Sequence, residues 1–192
     1  TVNMKIPFSK DVVNDAQCDV VSKNKLTESY IRPMCFYGSE GMGIRADNLS
    51  VHLMVAAWEW PSYMNPESKE KGIKVMLSSY KRQVGNPVSK SKVNGNYVTS
   101  IVALNEALEQ GYDEALMLDA EDNIAEGTGE NFFIIKENIL KTPDLEASLD
   151  GITRKTIIDI AKEKGIKIEV KKINLNEVLD SDEAFFTGTA AE

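Results

Sequence analysis

Ile124-Ala125-Glu126-Gly127-Thr128-Gly129-Glu130-Asn131-Phe132-Phe133 is a glycine-rich turn that carries carboxylates and runs into an apolar, β-prone stretch. Glycines let the backbone fold tightly there, and the aromatic pair after them starts a strand over 131–136. Around this turn the apolar rhythm switches between periods of two and of 3.6 residues. Upstream, 73–81 and 115–119 read as strands, and between them Ile101, Leu104 and Leu108 share one helical face closed by Gly111. Downstream, 139–141 reads as another strand, 153–164 as a helix ended by Gly165, and 166–170 and 184–187 as two more strands. Strands interleaved with helices predict a mixed α/β (α+β) protein.

The N-terminal third is patterned differently. Ser9 caps a short amphipathic helix carrying Val12, Val13, Ala16, Val20 and Val21. Two β-prone stretches follow, 30–37 and 50–60. The second is apolar on both faces through Val51, Leu53, Met54, Val55, Ala56 and Ala57, as a buried strand would be. Pro33 in the first predicts an edge position or a bulge. The polar run PSYMNPESKEKG at 61–72 is the one convincing linker. The expected organisation is residues 1–63, a linker over 64–72, and residues 73–192.

At 192 residues, 42% hydrophobic and 27% charged, the chain has the make-up of a globular protein with a core of its own. Its formal net charge of −8 repels phosphate backbones, which argues against general nucleic-acid or anionic-membrane binding. No apolar run approaches the roughly 20 residues that span a bilayer. The two cysteines, Cys18 and Cys35, offer neither a metal spacing nor a disulfide framework, so a reducing cytoplasm is the simplest compartment. The lone histidine, His52, leaves no His-rich metal site, and no metal is expected. Thr1 stands first in place of an initiator Met, which hints at a natural start upstream.

Some motifs have ordinary readings. Gly41-Met42-Gly43-Ile44-Arg45-Ala46 fits a dinucleotide fingerprint, but only residues 47–49 separate it from the next strand. No pyrophosphate-binding helix fits in that space, so a glycine turn is expected. Asn48-Leu49-Ser50 matches a glycosylation sequon without a secretory context. His52 reads as a satisfied core or interface histidine, and Cys18 and Cys35 as small buried hydrophobes.

Other motifs leave two readings open. Tyr30 and Arg32, two apart in a strand, share a face, which suits a carboxylate ligand or a surface acid. Gly151-Ile152-Thr153-Arg154 opens the best helix, and Thr187-Gly188-Thr189-Ala190-Ala191 runs a strand into small residues. Both can offer backbone N–H groups to an anion, although every helix has such an end. Ser91-Lys92-Val93-Asn94-Gly95-Asn96-Tyr97 sets a lysine in a turn before a helix. A lysine desolvated in a pocket can lose its proton and attack a carbonyl. A buried carboxylate such as Glu126 can hold a pyridine nitrogen protonated.

Six motifs occur in order: YIRPM at 30–34, GMG at 41–43, KVNGNY at 92–97, AEGTGENFF at 125–133, GITR at 151–154 and TGTAAE at 187–192. On these the chain resembles the branched-chain amino acid aminotransferases, fold-type IV enzymes dependent on pyridoxal 5′-phosphate, from about Lys5 to Glu192. The resemblance implies part of a small α+β domain in 1–63 and most of a large pseudo-barrel-like cofactor-binding domain in 73–192. It implies that Lys92, not Lys90, attaches the cofactor and shuttles the proton. Tyr97 would hydrogen-bond the ring hydroxyl, and Glu126 would pair with the pyridine nitrogen, with Glu130 a structural partner in the turn. The Ile152 and Thr153 amides, with Thr189, would cradle the phosphate. Tyr30 and the Ala190 and Ala191 amides would hold the substrate α-carboxylate, and Arg32 the distal carboxylate of glutamate. Ile44, Trp60 and Tyr63 would line the branched side-chain pocket. Asn94 stands where many members have glycine, in a turn that asparagine tolerates. The implied reaction passes the amino group of L-leucine, L-isoleucine or L-valine to 2-oxoglutarate in a ping-pong cycle. Its partners would be amino acids and 2-oxo acids, and its assembly a homodimer or higher homo-oligomer.

Members of that family continue beyond both ends of this chain, upstream with an arginine for the cofactor phosphate and downstream with the rest of the large domain. A fragment is therefore expected. It would be an aminotransferase whose lysine, glutamate and loops are in place, or a catalytically silent, self-associating piece with exposed sheet edges. D-amino acid transaminases and aminodeoxychorismate lyases share the fold, and YIRP and GTAAE favour the branched-chain enzyme.

Overall fold

The structure, a computed structural model, describes residues 2–60, 66–83 and 90–190. The chain divides into two compact units, residues 2–62 and 63–192. In the first, α1 (Lys10–Lys23) opens at Ser9, whose hydroxyl accepts the Val12 N–H at 3.3 Å. β1 (Tyr30–Tyr37) and β2 (Val51–Trp58) pair antiparallel in continuous register from Tyr30↔Trp58 to Tyr37↔Val51. Pro33 lies opposite Val55 without a bulge, because each strand of a two-stranded sheet keeps a free edge where an N–H is not needed.

Three expectations in this unit are corrected. β2 is not buried on both faces. It alternates, with His52 and Met54 outward, since α1 packs against the two-stranded sheet on one face only. His52 is accordingly half exposed, stacked on Phe36 with ring centroids 5.5 Å apart and 3.7 Å from the Glu40 carboxylate, and is not a core histidine. Cys18 is exposed because it falls off the half-buried α1 face of Val13, Ala16 and Val20, while Cys35 is half-buried. Residues 38–50 form bends and a turn with no helix, so the GMG segment is a turn.

The second unit begins with α2 (Pro66–Lys71), so part of the expected linker is helical. Its proline suits the first helical position, and Glu67 and Lys71 lie one turn apart at 3.4 Å. β3 (Val75–Lys81) and β4 (Glu114–Leu118) run parallel, joined through α3 (Tyr97–Glu109), the long crossover such a pair demands. β5 (Ile124–Glu126) pairs antiparallel with β4. β6 (Asn131–Lys136) and β7 (Ile139–Thr142) form a hairpin turned by Glu137 and Asn138, at φ of 51° and 61°. α4 (Ile152–Glu163) carries the chain to β8 (Lys167–Val170), parallel to β7. α5 (Leu175–Leu179) precedes β9 (Glu183–Thr187), which pairs antiparallel with β6. The sheet orders are β3-β4-β5 and β8-β7-β6-β9.

Leu116, Ile124, Phe132, Ile134 and Ile173 make one core cluster, and Phe133, Leu140 and Ala161 make another. α3 does not bury the face expected of it. Ser100, Ala103 and Ala107 are buried, the alanines against Ala115 and Met117, whereas Ile101 and Leu108 are 58% and 53% exposed. Small side chains let the helix axis approach the sheet, and that close approach sets the rotation. Among the described residues no helix is long and apolar enough to cross a membrane.

Candidate active site

The pairing of β3, β4 and β5 brings three distant segments together. Arg82 follows β3, and its N–H donates to the Leu118 carbonyl at the end of β4 at 2.8 Å. Its guanidinium forms an ion pair with Glu126, the last residue of β5, and Nη1 reaches the Ser100 hydroxyl of α3 at 3.5 Å. Glu126 is only 5% exposed. Arg82 contacts its Oε1, while Oε2 accepts the Leu149 N–H at 3.0 Å and the Asn131 amide at 3.3 Å. Burial pushes the Glu126 carboxyl up, against the opposing pull of the Arg82 charge, the Leu149 N–H and the Lys92 charge.

Lys92 sits on the turn that enters α3 through a short 3-10 segment, Asn94–Asn96. The Val93 N–H and the Asn96 amide both donate to the Ser91 carbonyl, at 2.9 and 3.0 Å, and close that turn. Lys92 Nζ donates to the Tyr97 phenolic oxygen at 2.7 Å and lies 5.3 Å from the ring centroid. Lys92 is exposed on the turn. Arg82, Lys92, Tyr97, Glu126, Thr128 and Leu149 all line one concavity.

Its wall is the 126–130 turn. The Gly127 N–H donates to the Glu130 carbonyl at 2.9 Å, and a Cβ there would lie 2.9 Å from Phe186 Cε1 and 3.0 Å from Glu130 Oε2. Only glycine fits. Beneath the turn, buried Glu114 accepts the Thr128 N–H at 3.2 Å. Burial, and then the charge of Glu114, pushes the Glu130 carboxyl up to about 7.

Asn131 joins this turn to the remaining motifs. It stands opposite Thr187, the last residue of β9 and the first of the TGTA segment, and donates to the Leu149 carbonyl at 2.8 Å. A Cβ on Gly151 would collide with its Oδ1. Gly151 begins α4 with no side-chain cap, which leaves the first N–H groups for another acceptor. Buried Arg154, one turn in, donates to the Pro143 carbonyl at 2.9 Å and anchors that end. Ile152 is exposed and Thr153 half-buried, and past β9 Thr189 is exposed and Ala190 half-buried. None of these four lines the concavity around Lys92.

In the first unit, Tyr30 packs on Trp58 and Trp60 with ring centroids 5.2 and 5.0 Å apart. Arg32 shares its face, as strand spacing predicts, with the guanidinium 5.2 Å from the Tyr30 ring centroid. Ile44 is fully exposed in the 38–50 loop and Trp60 is 40% exposed. Tyr63 and Ala191 lie outside the described residues. Among the described residues no cluster of His, Cys, Asp and Glu is placed to hold a metal ion.

Sequence reasoning overlooked Arg82 and Asn131. Arg82 sits in no motif. Asn131 was visible as a polar residue opening an otherwise apolar strand.

All of residues 1–192 match the amino-transferase class IV family. A branched-chain-amino-acid aminotransferase of Pseudomonas aeruginosa is 52% identical over 192 residues, which is 100% of this chain and 62% of that protein. The crystal structure of the Escherichia coli branched-chain amino acid aminotransferase matches with a TM-score of 0.94 at 39% identity, over 98% of this chain and 63% of that one. The T.th. branched-chain amino acid aminotransferase complexed with N-(5′-phosphopyridoxyl)-L-glutamate matches at 0.89 and 37% identity, over 100% of this chain and 62% of that one. The mixed α+β fold expected from the sequence is the fold of these structures. The chain spans about three fifths of the length of these relatives.

Proposed function

This chain belongs to the amino-transferase class IV family, and on that footing we propose that it binds pyridoxal 5′-phosphate and passes the amino group of L-leucine, L-isoleucine or L-valine to 2-oxoglutarate. Its 52% identity to a branched-chain enzyme supports that substrate class over D-amino acids or aminodeoxychorismate. One observation carries the reading: an amine 2.7 Å from a phenol, in one concavity with a buried, arginine-paired carboxylate.

The donor set fits the cofactor. Glu126 would accept the N–H of a protonated pyridine ring, Tyr97 would turn its hydroxyl to the ring oxygen, and Lys92 would supply the attaching amine. The uncapped start of α4 offers the Ile152 and Thr153 amides to a phosphate, together with Thr189. When bound, the cofactor would supply an electron sink that makes the Cα–H of an amino acid substrate acidic. Lys92 Nζ would take that proton from Cα, and Tyr97 Oη would share its hydrogen bond. Tyr30 and the Ala190 and Ala191 amides would hold the α-carboxylate, while Arg32 reads the distal carboxylate of glutamate. Ile44, Trp60 and Tyr63 would face the branched side chain.

In the same reading, residues 1–63 are the C-terminal part of a small domain, 64–72 a connection, and 73–192 most of the large cofactor-binding domain. The assembly is a homodimer or higher homo-oligomer. The cytoplasm suits the free thiols of Cys18 and Cys35.

Visible absorption with added pyridoxal 5′-phosphate, then borohydride reduction and peptide mass mapping, tests the proposal. A single pyridoxyl adduct at Lys92 is expected, followed by transamination of leucine. Adducts scattered over surface lysines would count against a formed site.

A further inference from the structure

A carboxylate that is to pair with a pyridinium must itself be ionised, and Glu126 is buried, which favours the neutral form. A protonated carboxyl would present its own hydrogen to the ring nitrogen. Two cations of the described structure act on Glu126: Arg82 in direct contact and Lys92 at longer range. Lys92 cannot serve throughout a reaction in which its amine must be unprotonated. Glu130, on the same turn, adds repulsion whenever it ionises. Among the described residues, Arg82 is thus the permanent charge on Glu126.

Arg82 is also held in place. Its N–H is fixed on β4 at Leu118, Nη1 touches Ser100 of α3, and its side chain is 11% exposed. Its Nε has no hydrogen-bond partner among the described residues, so the guanidinium is placed by its contacts with Glu126 and Ser100. On the other side, Leu149 and Asn131 hold Glu126 Oε2. The carboxylate is clamped at both oxygens with lone pairs to spare.

We propose that Arg82 is a positioning residue: clamped between β4 and α3, its guanidinium holds Glu126 as an oriented carboxylate, so that Glu126 meets the pyridine nitrogen while Arg82 stays behind it. The inference rests on the cofactor reading above. It assigns Arg82 no contact with substrate.

Purified wild-type protein, R82Q, R82K and E126Q test it in two measurements. The first titrates 13C-labelled glutamate carboxyls by NMR in the cofactor-free protein, with E126Q identifying the Glu126 signal. R82Q should raise the Glu126 midpoint by about one pH unit or more, and R82K by less, because lysine keeps the charge and loses the fork. The second measures equilibrium affinity for pyridoxal 5′-phosphate, which should fall about tenfold in R82Q and recover in part in R82K. An unchanged Glu126 midpoint in folded R82Q would overturn the proposal. If R82Q does not fold, the double variant R82Q/E126Q decides. Recovery of folded protein supports the pairing, and continued failure makes Arg82 structural in its own right and overturns it. Wild-type protein that takes up no cofactor at Lys92 defeats the functional reading instead, and the titration separates that failure from one at Arg82.

Discussion

Asn131 and Gly151 show how single positions hold the candidate site together. The Asn131 amide bonds Glu126 and the Leu149 carbonyl, and its Oδ1 occupies the space a Cβ at Gly151 would need. The Asn131 side chain is buried and bonded, so it cannot swing aside at little cost. Gly151→Ala should therefore destabilise the protein by about 1–3 kcal/mol, the usual cost of overpacking, and loosen the start of α4. Urea unfolding measures the first effect and hydrogen exchange at residues 152–156 the second; a change below about 0.5 kcal/mol would mean that Asn131 relocates freely. Lys92, Tyr97 and Glu126, singled out by the resemblance because each sits in a short local motif, line one concavity. Arg82 was not singled out, because its partner lies 44 residues along the chain and only the β3-β4-β5 pairing brings the two together.

At the scale of elements, the strands that strong periodicity marked were legible to within two or three residues, since that signal is local. The misses have physical causes. β5 is three residues long and ends in the turn itself, too short for any period to show. α5 is five residues, though Asn174 and Glu177 spell a capping box that was there to be read. α3 was found as an element but assigned the wrong face, because apolar spacing favours Ile101, Leu104 and Leu108 while close approach to the sheet selects the smallest side chains. A pair of substitutions separates the two faces. Ala107→Leu should cost about 1–3 kcal/mol by pushing α3 off Met117 and Ala115, while Ile101→Ala should stay within about 1 kcal/mol, because Ile101 already faces outward. Comparable losses from both in denaturant unfolding would place the packed face where the sequence reading had it.

For the molecule as a whole, the acid pair beneath the 126–130 turn should set how stability varies with pH. Glu130 is raised from its usual 4.5 to about 7, first by burial and then by Glu114, to which it hydrogen-bonds. Between those two values the folded protein holds a proton that the unfolded chain has released, so stability must fall as pH rises from about 4.5 through 7 and level off above. Glu126, also raised by burial, contributes with the same sign. The exposed carboxylates Glu40, Asp47 and Asp182 and the half-buried Glu106 and Glu169 are shifted down by their partners, so what they contribute is lost only as pH falls through lower values. Glu40, Asp47 and Asp182, being exposed, contribute little in any case. The two windows do not overlap, and the slope between pH 5 and 7 belongs to Glu130. Glu130→Gln keeps an acceptor for the Gly129 N–H and gains a permanent donor toward Glu114. It should flatten that slope and leave the protein at least as stable as wild type at pH 8. Urea unfolding at pH 5, 6, 7 and 8 reads both effects. Wild-type stability that rises over this range, or a Glu130→Gln slope parallel to it, would show that the pair does not hold its proton and that the turn owes its shape to Gly127 and the strand register alone.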